Sequence, residues 1–510
     1  MFILSLLPIV LILVLMVGFR WGAARAGGVG YLCAFLIAIL FFGAGPQLLA
    51  YAHTQALILT LDVLLIIWSA FLLYRVVDEA GAIRTIGDAL PHLTADRGMQ
   101  GLIIGWVFAS FLQGVGGFGV PVAVVAPILI GLGFAPLAAV LIPSLGHGWA
   151  VTFGSLGSSF QALLAATGLP DNLLAPPAAF FLGISAIAVG LTVAHAAGGW
   201  RALNRLLLPI ILLGGAMGVV QYLVATSGLW NIAAFCGGLV GLVIGIPLAR
   251  RYRGEQQDRG NLDLKKLVIA LSGYGILIFV TLVVQLTPGL KDWLGKVVIQ
   301  VYFPQVSTSL GYITEAGFSR KIILFRHAGT SLIYTSILAY LVYARAGLYK
   351  PGAAPRILSG MMRRVMSSSV SIASMIAMAV IMENAGMTDT LARGLAQGMG
   401  ALFPLVSPWI GGLGAFMTGS NTNSNVVLGS LQMRTAELLK YPVAIILAAQ
   451  TSGAGLASVM APAKVVVGAS TAGMAGREGE VMRKLVLYTT LLVSLISLLT
   501  LVGVWIVKGV

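Results

Sequence analysis

The chain has 510 residues, 58% of them hydrophobic and only 9% charged, a balance far outside that of soluble globular domains. Its formal net charge of +15 does not mark a nucleic-acid surface, because the basic residues sit in short links between apolar runs and so read as membrane topology. The two cysteines, Cys33 and Cys236, lie inside apolar runs at no metal-ligand spacing and read as packing residues.

In chain order, runs near the roughly 20 residues that span a bilayer as helix occur at Ile3–Phe19, Gly28–Phe42, Leu57–Val77, Pro177–Ala197, Leu206–Thr226, Ile232–Pro247, Lys266–Gln285, Ala328–Tyr343, Met366–Met382 and Leu485–Val507. The first run has no basic stretch before it and no small-residue cleavage site after it, so it reads as a span and not a signal peptide. Two further apolar zones, Leu102–Ala166 and Leu391–Ala472, are interrupted throughout by Gly, Ser and Pro. The expected fold is an all-α polytopic membrane protein of roughly 12–14 membrane segments. Lys/Arg-rich links such as Arg20 with Arg25, Arg250-Arg251-Tyr252-Arg253 and Arg363-Arg364 mark the cytoplasmic side, which puts both termini on the outer face.

The order of features repeats. Leu57–Val77 ends in Asp78-Glu79-Ala80-Gly81, an amphipathic stretch follows, and the chain then enters Phe111-Leu112-Gln113-Gly114-Val115-Gly116-Gly117-Phe118-Gly119. Met382-Glu383-Asn384-Ala385-Gly386 ends a later span, a second amphipathic stretch follows, and the chain enters Thr418-Gly419-Ser420-Asn421-Thr422-Asn423-Ser424-Asn425. Gly81 and Gly386, Thr85 and Thr390, and Gly114 and Gly419 are each 305 residues apart; Ser144-x-Gly146-x-Gly148 matches Thr451-x-Gly453-x-Gly455 at 307. The repeats cover about residues 55–166 (hairpin zone 106–160) and 360–475 (hairpin zone 409–470). They fall in halves 1–250 and 265–510, joined by a polar cytoplasmic linker at 251–264. Counting spans from the basic links makes the copies cross in opposite senses, the arrangement of inverted-repeat transporters.

Irregular backbone at membrane depth survives only where it is buried in protein or lines a wet cavity. The Gly-rich and Ser/Asn-rich zones therefore read as re-entrant hairpins or broken helices meeting near the midplane. Helix N-termini there offer free N–H groups to a carboxylate, and Asn and Ser add neutral donors and acceptors. Close helix packing is the other reading of any single small residue in these zones.

At Leu112–Pro121, Gly131–Pro136, Phe153-Gly154-Ser155-Leu156-Gly157, Ile381–Thr388 and Thr418–Asn425 the chain resembles the lactate permease family over nearly its full length. The resemblance implies uptake of short 2-hydroxy monocarboxylates such as lactate and glycolate by proton symport. It departs from the family pattern where a carboxylate is usual (Gln113), where Asp is usual (Asn421) and where Asn is common (His147). A lysine usual near Ala457 is also absent, and Lys464 follows instead.

The candidate substrate-binding residues are Gln113, Gly114, Gly116, Gly117, Gly119, His147, Ser420, Asn421, Thr422, Asn423, Asn425 and Lys464. His147, Asp62 and Glu383 are the candidates for ion coupling, because ionisable groups in spans are costly and default to function. Lys464 is either an anion partner or a snorkelling lysine, His147 either a proton carrier or a satisfied core histidine, and Glu383 either a relay or a helix-end carboxylate. The expected partners are a small organic anion and the lipid bilayer, with no nucleic acid, no cofactor, no metal, and a possible homodimer. H⁺ is the expected coupling ion, and a same-fold carrier of another organic anion with Na⁺ is the alternative. An enzyme or channel is disfavoured, since neither a metalloprotease H-E-x-x-H, a P-loop nor a repeated filter sequence occurs. The polar segment 288–326 has no placement from sequence.

Overall fold

The computed structural model of the protein describes residues 1–117, 119–252, 264–319 and 321–508. The linker expected at 251–264 falls almost wholly outside these residues, as do Phe118 and Arg320.

The first half opens with α1 (Phe2–Leu13), α2 (Ala23–Phe42) and α3 (Pro46–Glu79). Gly43 closes α2 in a left-handed conformation, and Pro46 begins α3, where its missing N–H breaks no helical bond. The short amphipathic α4 (Ala82–Ala89) leads to α5 (Arg97–Val115), which stops at a glycine-rich break. From that break α6 (Val120–Gly131) sets out, followed by α7 (Pro136–Gly146), a second break and α8 (Gly154–Thr167). The half ends with α9 (Asp171–Arg205), α10 (Leu207–Val224) and α11 (Ala233–Arg250).

The second half starts with α12 (Leu264–Leu286) and α13 (Pro288–Leu294). Segment 288–326 finds its place next, as a narrow antiparallel ribbon. Val298–Ile299 pairs with Ile322–Ile323, Tyr302–Phe303 with Gly317–Phe318, and Val306–Ser307 with Ile313–Thr314. Ser309 N–H donates to Gly43 O (2.9 Å) and Thr314 Oγ1 to Asn384 O (3.3 Å), so the ribbon tip lies against the α2–α3 turn. Then come α14 (Ala328–Arg345), α15 (Ala353–Asn384), α16 (Met387–Met399) and α17 (Phe403–Thr418). The chain closes with α18 (Asn421–Leu438), α19 (Val443–Ala457), α20 (Pro462–Thr471) and α21 (Glu478–Lys508).

Among the described residues ten helices are long and apolar enough to cross a membrane, and up to eleven if the bent pair Pro136–Ala150 and Gly154–Thr167 counts as one span. The chain is an all-α polytopic membrane protein. The count falls below the expected number for two reasons. Leu207–Arg250 counts once although Gly228 (φ 80°) breaks the helix between α10 and α11, and the apolar helices Phe2–Gly18 and Val120–Gly131 are shorter than a full span.

The sequence α3 to α9 has the same order of elements as α15 to α21: a long helix, an amphipathic helix, a broken hairpin, a second break and a long helix. Gly81 and Gly386 hold the same corner in both, at φ 73° and 81°, a conformation with little cost only for glycine. The two leading long helices pack against each other and run antiparallel. Arg356 bonds Glu79 (2.7 Å), Trp68 Nε1–H donates to Ser369 (2.8 Å), and Asn384 Nδ2–H donates to Gln55 (2.9 Å), so numbers rise along one helix as they fall along the other.

Candidate functional site

The chain brings its breaks together around Thr152–Gly157. Ser155, Leu156 and Gly157 adopt three consecutive left-handed conformations (φ 48°, 54° and 81°) that break the first turn of α8. Left-handed backbone at a serine and a leucine is strained, and such strain persists only where the surroundings hold it. At Gly157 the surroundings also forbid a side chain, since a Cβ would lie 2.7 Å from the Trp230 ring.

One side of this break meets the end of α5. A Cβ on Gly154 would lie 2.8 Å from Gln113 O and 2.9 Å from Gln113 Nε2, and one on Gly117 would overlap Ser155 Oγ. Gln113 is buried, and its Oε1 accepts no hydrogen bond among the described residues. Gly114 serves a different purpose: its Cα faces the backbone of Phe235 on α11, with room for no side chain (2.6 Å). Gly116 packs against Tyr74, and Gly119 (φ 84°) caps α6 in open space.

The other side meets the start of α18. Ser420 caps that helix, its Oγ accepting from Asn423 N–H (3.3 Å). Asn421 and Asn425 are one turn apart and share a face. Asn421 Nδ2–H donates to Thr152 Oγ1 (3.1 Å); Asn425 Nδ2–H donates to Ser159 O (2.9 Å) and Thr451 Oγ1 (2.9 Å). Thr422 and Ser159 hydroxyls bond at 3.0 Å, and Thr152 Oγ1 donates to Thr451 O (3.0 Å). Gly455 makes the approach possible, since a Cβ there would sit 3.2 Å from Thr152 Oγ1 and 3.5 Å from Asn421 Nδ2. The Oδ1 atoms of Asn421 and Asn425 accept nothing among the described residues, so this buried polar junction keeps acceptor capacity in hand.

Asn423 is on another face. Its Nδ2–H donates to Ser371 on α15 (3.1 Å), and it lines a separate apolar cavity of about 220 Å³ with residues of α1 and α17. His147 is 1% exposed, donates Nδ1–H to Pro143 O (2.7 Å), and holds an Nε2 with no partner among the described residues. The adjoining Gly148 packs against Val459. Lys464 Nζ donates to Ser458 Oγ (3.0 Å) at the same end of α19, so the second break of each half meets the other here. A cavity of about 650 Å³, with Arg20, Trp21 and Glu478 among its lining residues, reaches Thr418, Gly419, Pro462 and Ala463.

The two carboxylates are outside the junction. Asp62, 2% exposed, accepts from Gln161 Nε2–H (2.6 Å) and bonds His327 Nε2 (2.9 Å). Glu383 lines a cavity of about 20 Å³ between α3, α8, α15 and α18. No group of three or more metal-ligating side chains occurs among the described residues.

A profile of the L-lactate permease family matches residues 1–507. The chain belongs to that family. Similar permeases include the L-lactate permease of Salmonella typhimurium, 26% identical over 85% of this chain and 83% of that protein. The glycolate permease of Escherichia coli is 26% identical over 99% of this chain and 96% of that protein, and the L-lactate permease of Bacillus subtilis 25% over 95% and 92%. As a member of the lactate permease family the chain is a membrane transporter, not an enzyme.

Thr152, Ser159, Gln161 and His327 were absent from the sequence-derived site. Ser155–Gly157 and Thr451 did carry a signal, the first as part of a family-like motif and the second as a repeat match.

Proposed function

We propose that this lactate permease family member is a proton-coupled symporter of short 2-hydroxy monocarboxylates, lactate and glycolate, in the bacterial inner membrane. The observation that carries the substrate site is the junction where Asn421 and Asn425 meet Thr152, Ser159 and Thr451. A 2-hydroxy acid needs donors for its carboxylate and an acceptor for its hydroxyl. A helix start leaves N–H groups without intrahelical acceptors; at α18 Ser420 Oγ takes that of Asn423, leaving those of Asn421 and Thr422 for the carboxylate. Oδ1 of Asn421 or Asn425 then accepts from the hydroxyl. Lys464 adds a cation nearby, held by Ser458 until an anion competes for it.

The antiparallel packing of α3 and α15 and the repeated element order support inverted repeats and alternating access around the junction. The basic links Arg20, Arg201 with Arg205, and Arg477 then face the cytoplasm, and both termini lie outside. In this orientation the cavity lined by Arg20 and Glu478 is the inner approach to Gly419.

Uptake of labelled lactate and glycolate into proteoliposomes, with a proton gradient and a Na⁺ gradient imposed separately, tests the reading. Both acids accumulate under the proton gradient, and Asn421→Ala raises the lactate KM by about tenfold, the loss of roughly one hydrogen bond to the substrate hydroxyl. Accumulation under Na⁺ alone replaces the proton, since neutral acceptor oxygens also suit Na⁺. If neither acid accumulates nor competes with other anions, the substrate reading fails.

A further inference from the structure

We propose that the Asp62–His327 pair is the protonation site of coupling, and that Gln161 carries its charge state to the substrate junction. This rests on the proton-coupled reading above and states where the proton sits.

Asp62 is midway along an apolar helix, where a buried carboxylate is tolerated only with good partners. Two of its partners, on other elements, are His327 and Gln161. His327 begins α14 at the foot of the ribbon, and Gln161 is on α8. His327 Nδ1 accepts Gly329 N–H (3.2 Å), which fixes the ring proton on Nε2 and makes that atom the donor to Asp62 Oδ1. This geometry gives the pair two places for one added proton. That proton goes either to the Asp62 carboxylate, forming its O–H, or to His327 Nδ1, displacing the Gly329 bond and leaving an imidazolium–carboxylate pair.

Protonation of the carboxylate weakens its pull on Gln161, since a hydrogen bond to an ionised carboxylate is roughly twice as strong as a neutral one; the imidazolium route leaves the carboxylate ionised and shares its charge with His327. Gln161 is two residues from Ser159, whose hydroxyl bonds Thr422 and whose carbonyl accepts from Asn425. Protonation therefore slackens the tie between α3 and the helix that holds one wall of the junction.

Among the described residues, other ionisable groups near this site have partners or settings of their own. Glu383 of α15 faces the same seam, but the α8 residues around it are Ala162, Ala165 and Ala166, so it has no polar handle on that helix. Arg326 extends toward Gly295 at the end of α13, and Tyr334 of α14 donates to Phe325 O. His53, on α3, bonds Tyr31 and Leu49 O. No ionisable residue occurs in α8.

Full-length protein in proteoliposomes separates coupling from substrate handling. Two rates are measured: accumulation of labelled lactate under an inward proton gradient, and exchange of labelled for unlabelled lactate with no gradient. Asp62→Asn keeps exchange within about threefold of wild type and lowers accumulation more than about tenfold, the size of an ordinary coupling free energy. An internal pH dye then records no proton entry with lactate, and His327→Gln shows the same split more weakly. Wild-type accumulation or proton entry in Asp62→Asn overturns the proposal. If Asp62→Asn also loses exchange, Asp62→Glu decides: recovered accumulation supports a proton site, and failure in both rates makes Asp62 structural and overturns it. A wild-type protein that accumulates no lactate under the proton gradient overturns the proton-coupled reading itself, independently of any variant.

Discussion

Asn425→Ala is expected to abolish transport and to lower stability together. The side chain is fully buried and its amide joins both halves of the protein, through Ser159 O and Thr451 Oγ1 at 2.9 Å each. Truncation takes a donor from two buried acceptors, of which Thr451 Oγ1 keeps its bond to Thr152 Oγ1 (3.3 Å), and losing a buried partner costs about 1–3 kcal/mol. The expected loss is about 2–5 kcal/mol, read as a lower melting temperature in detergent, with lactate uptake down about a hundredfold. Asn423→Ala is the control on the same helix: that residue bonds Ser371 and faces an apolar cavity, so uptake falls less than about threefold. Equal losses in the two variants would remove the junction from its central place.

The second large effect is expected at Gly453→Ala. Gly453 packs against the backbone of Pro408, where an added Cβ would be 2.8 Å from both the Cα and the carbonyl carbon. Backbone cannot rotate away, so α17 and α19 must separate, and overpacking of this kind costs about 1–3 kcal/mol. Thr451, two residues earlier, then loses its alignment with Thr152 and Asn425. Gly412→Ala, on the facing helix, meets the Ala457 methyl at 3.1 Å, which can give by a few tenths of an ångström, and Gly453 O at an ordinary 3.6 Å. Melting temperatures in detergent are expected to fall for Gly453→Ala and to change little for Gly412→Ala; the reverse order would contradict the packing account.

The membrane class and most spans were legible in the sequence because apolar run length is itself the physical constraint. Helix ends were less so: the helix that holds the run Pro177–Ala197 starts earlier, at Asp171, because polar residues there extend the helix without extending the apolar core, whereas Gly198 and Gly199 break it just past Ala197. Gly81 and Gly386 stood out as matching positions in the sequence, and both hold left-handed corners that favour glycine. Which face each side chain takes was not. Asn421, Asn423 and Asn425 look equivalent in a run of small polar residues, yet only the first and third, one helical turn apart, point at Thr152 and Ser159. Gly114 looked like ligand-contacting backbone and instead packs on Phe235, because a glycine required for helix contact has the same sequence appearance. His327 stood out only as part of a polar link: it is 265 residues from Asp62, and the ribbon's path brings them together.

The placement of the substrate at the start of α18 has one direct measurement. Ser420→Cys is introduced with Cys33 and Cys236 replaced by serine, and its alkylation by a small membrane-permeant thiol reagent is timed. Lactate and glycolate slow the reaction at the concentrations that saturate uptake, while an acid that is not transported has no effect. An alkylation rate unchanged by saturating lactate would show that the substrate binds away from Ser420 and Asn421.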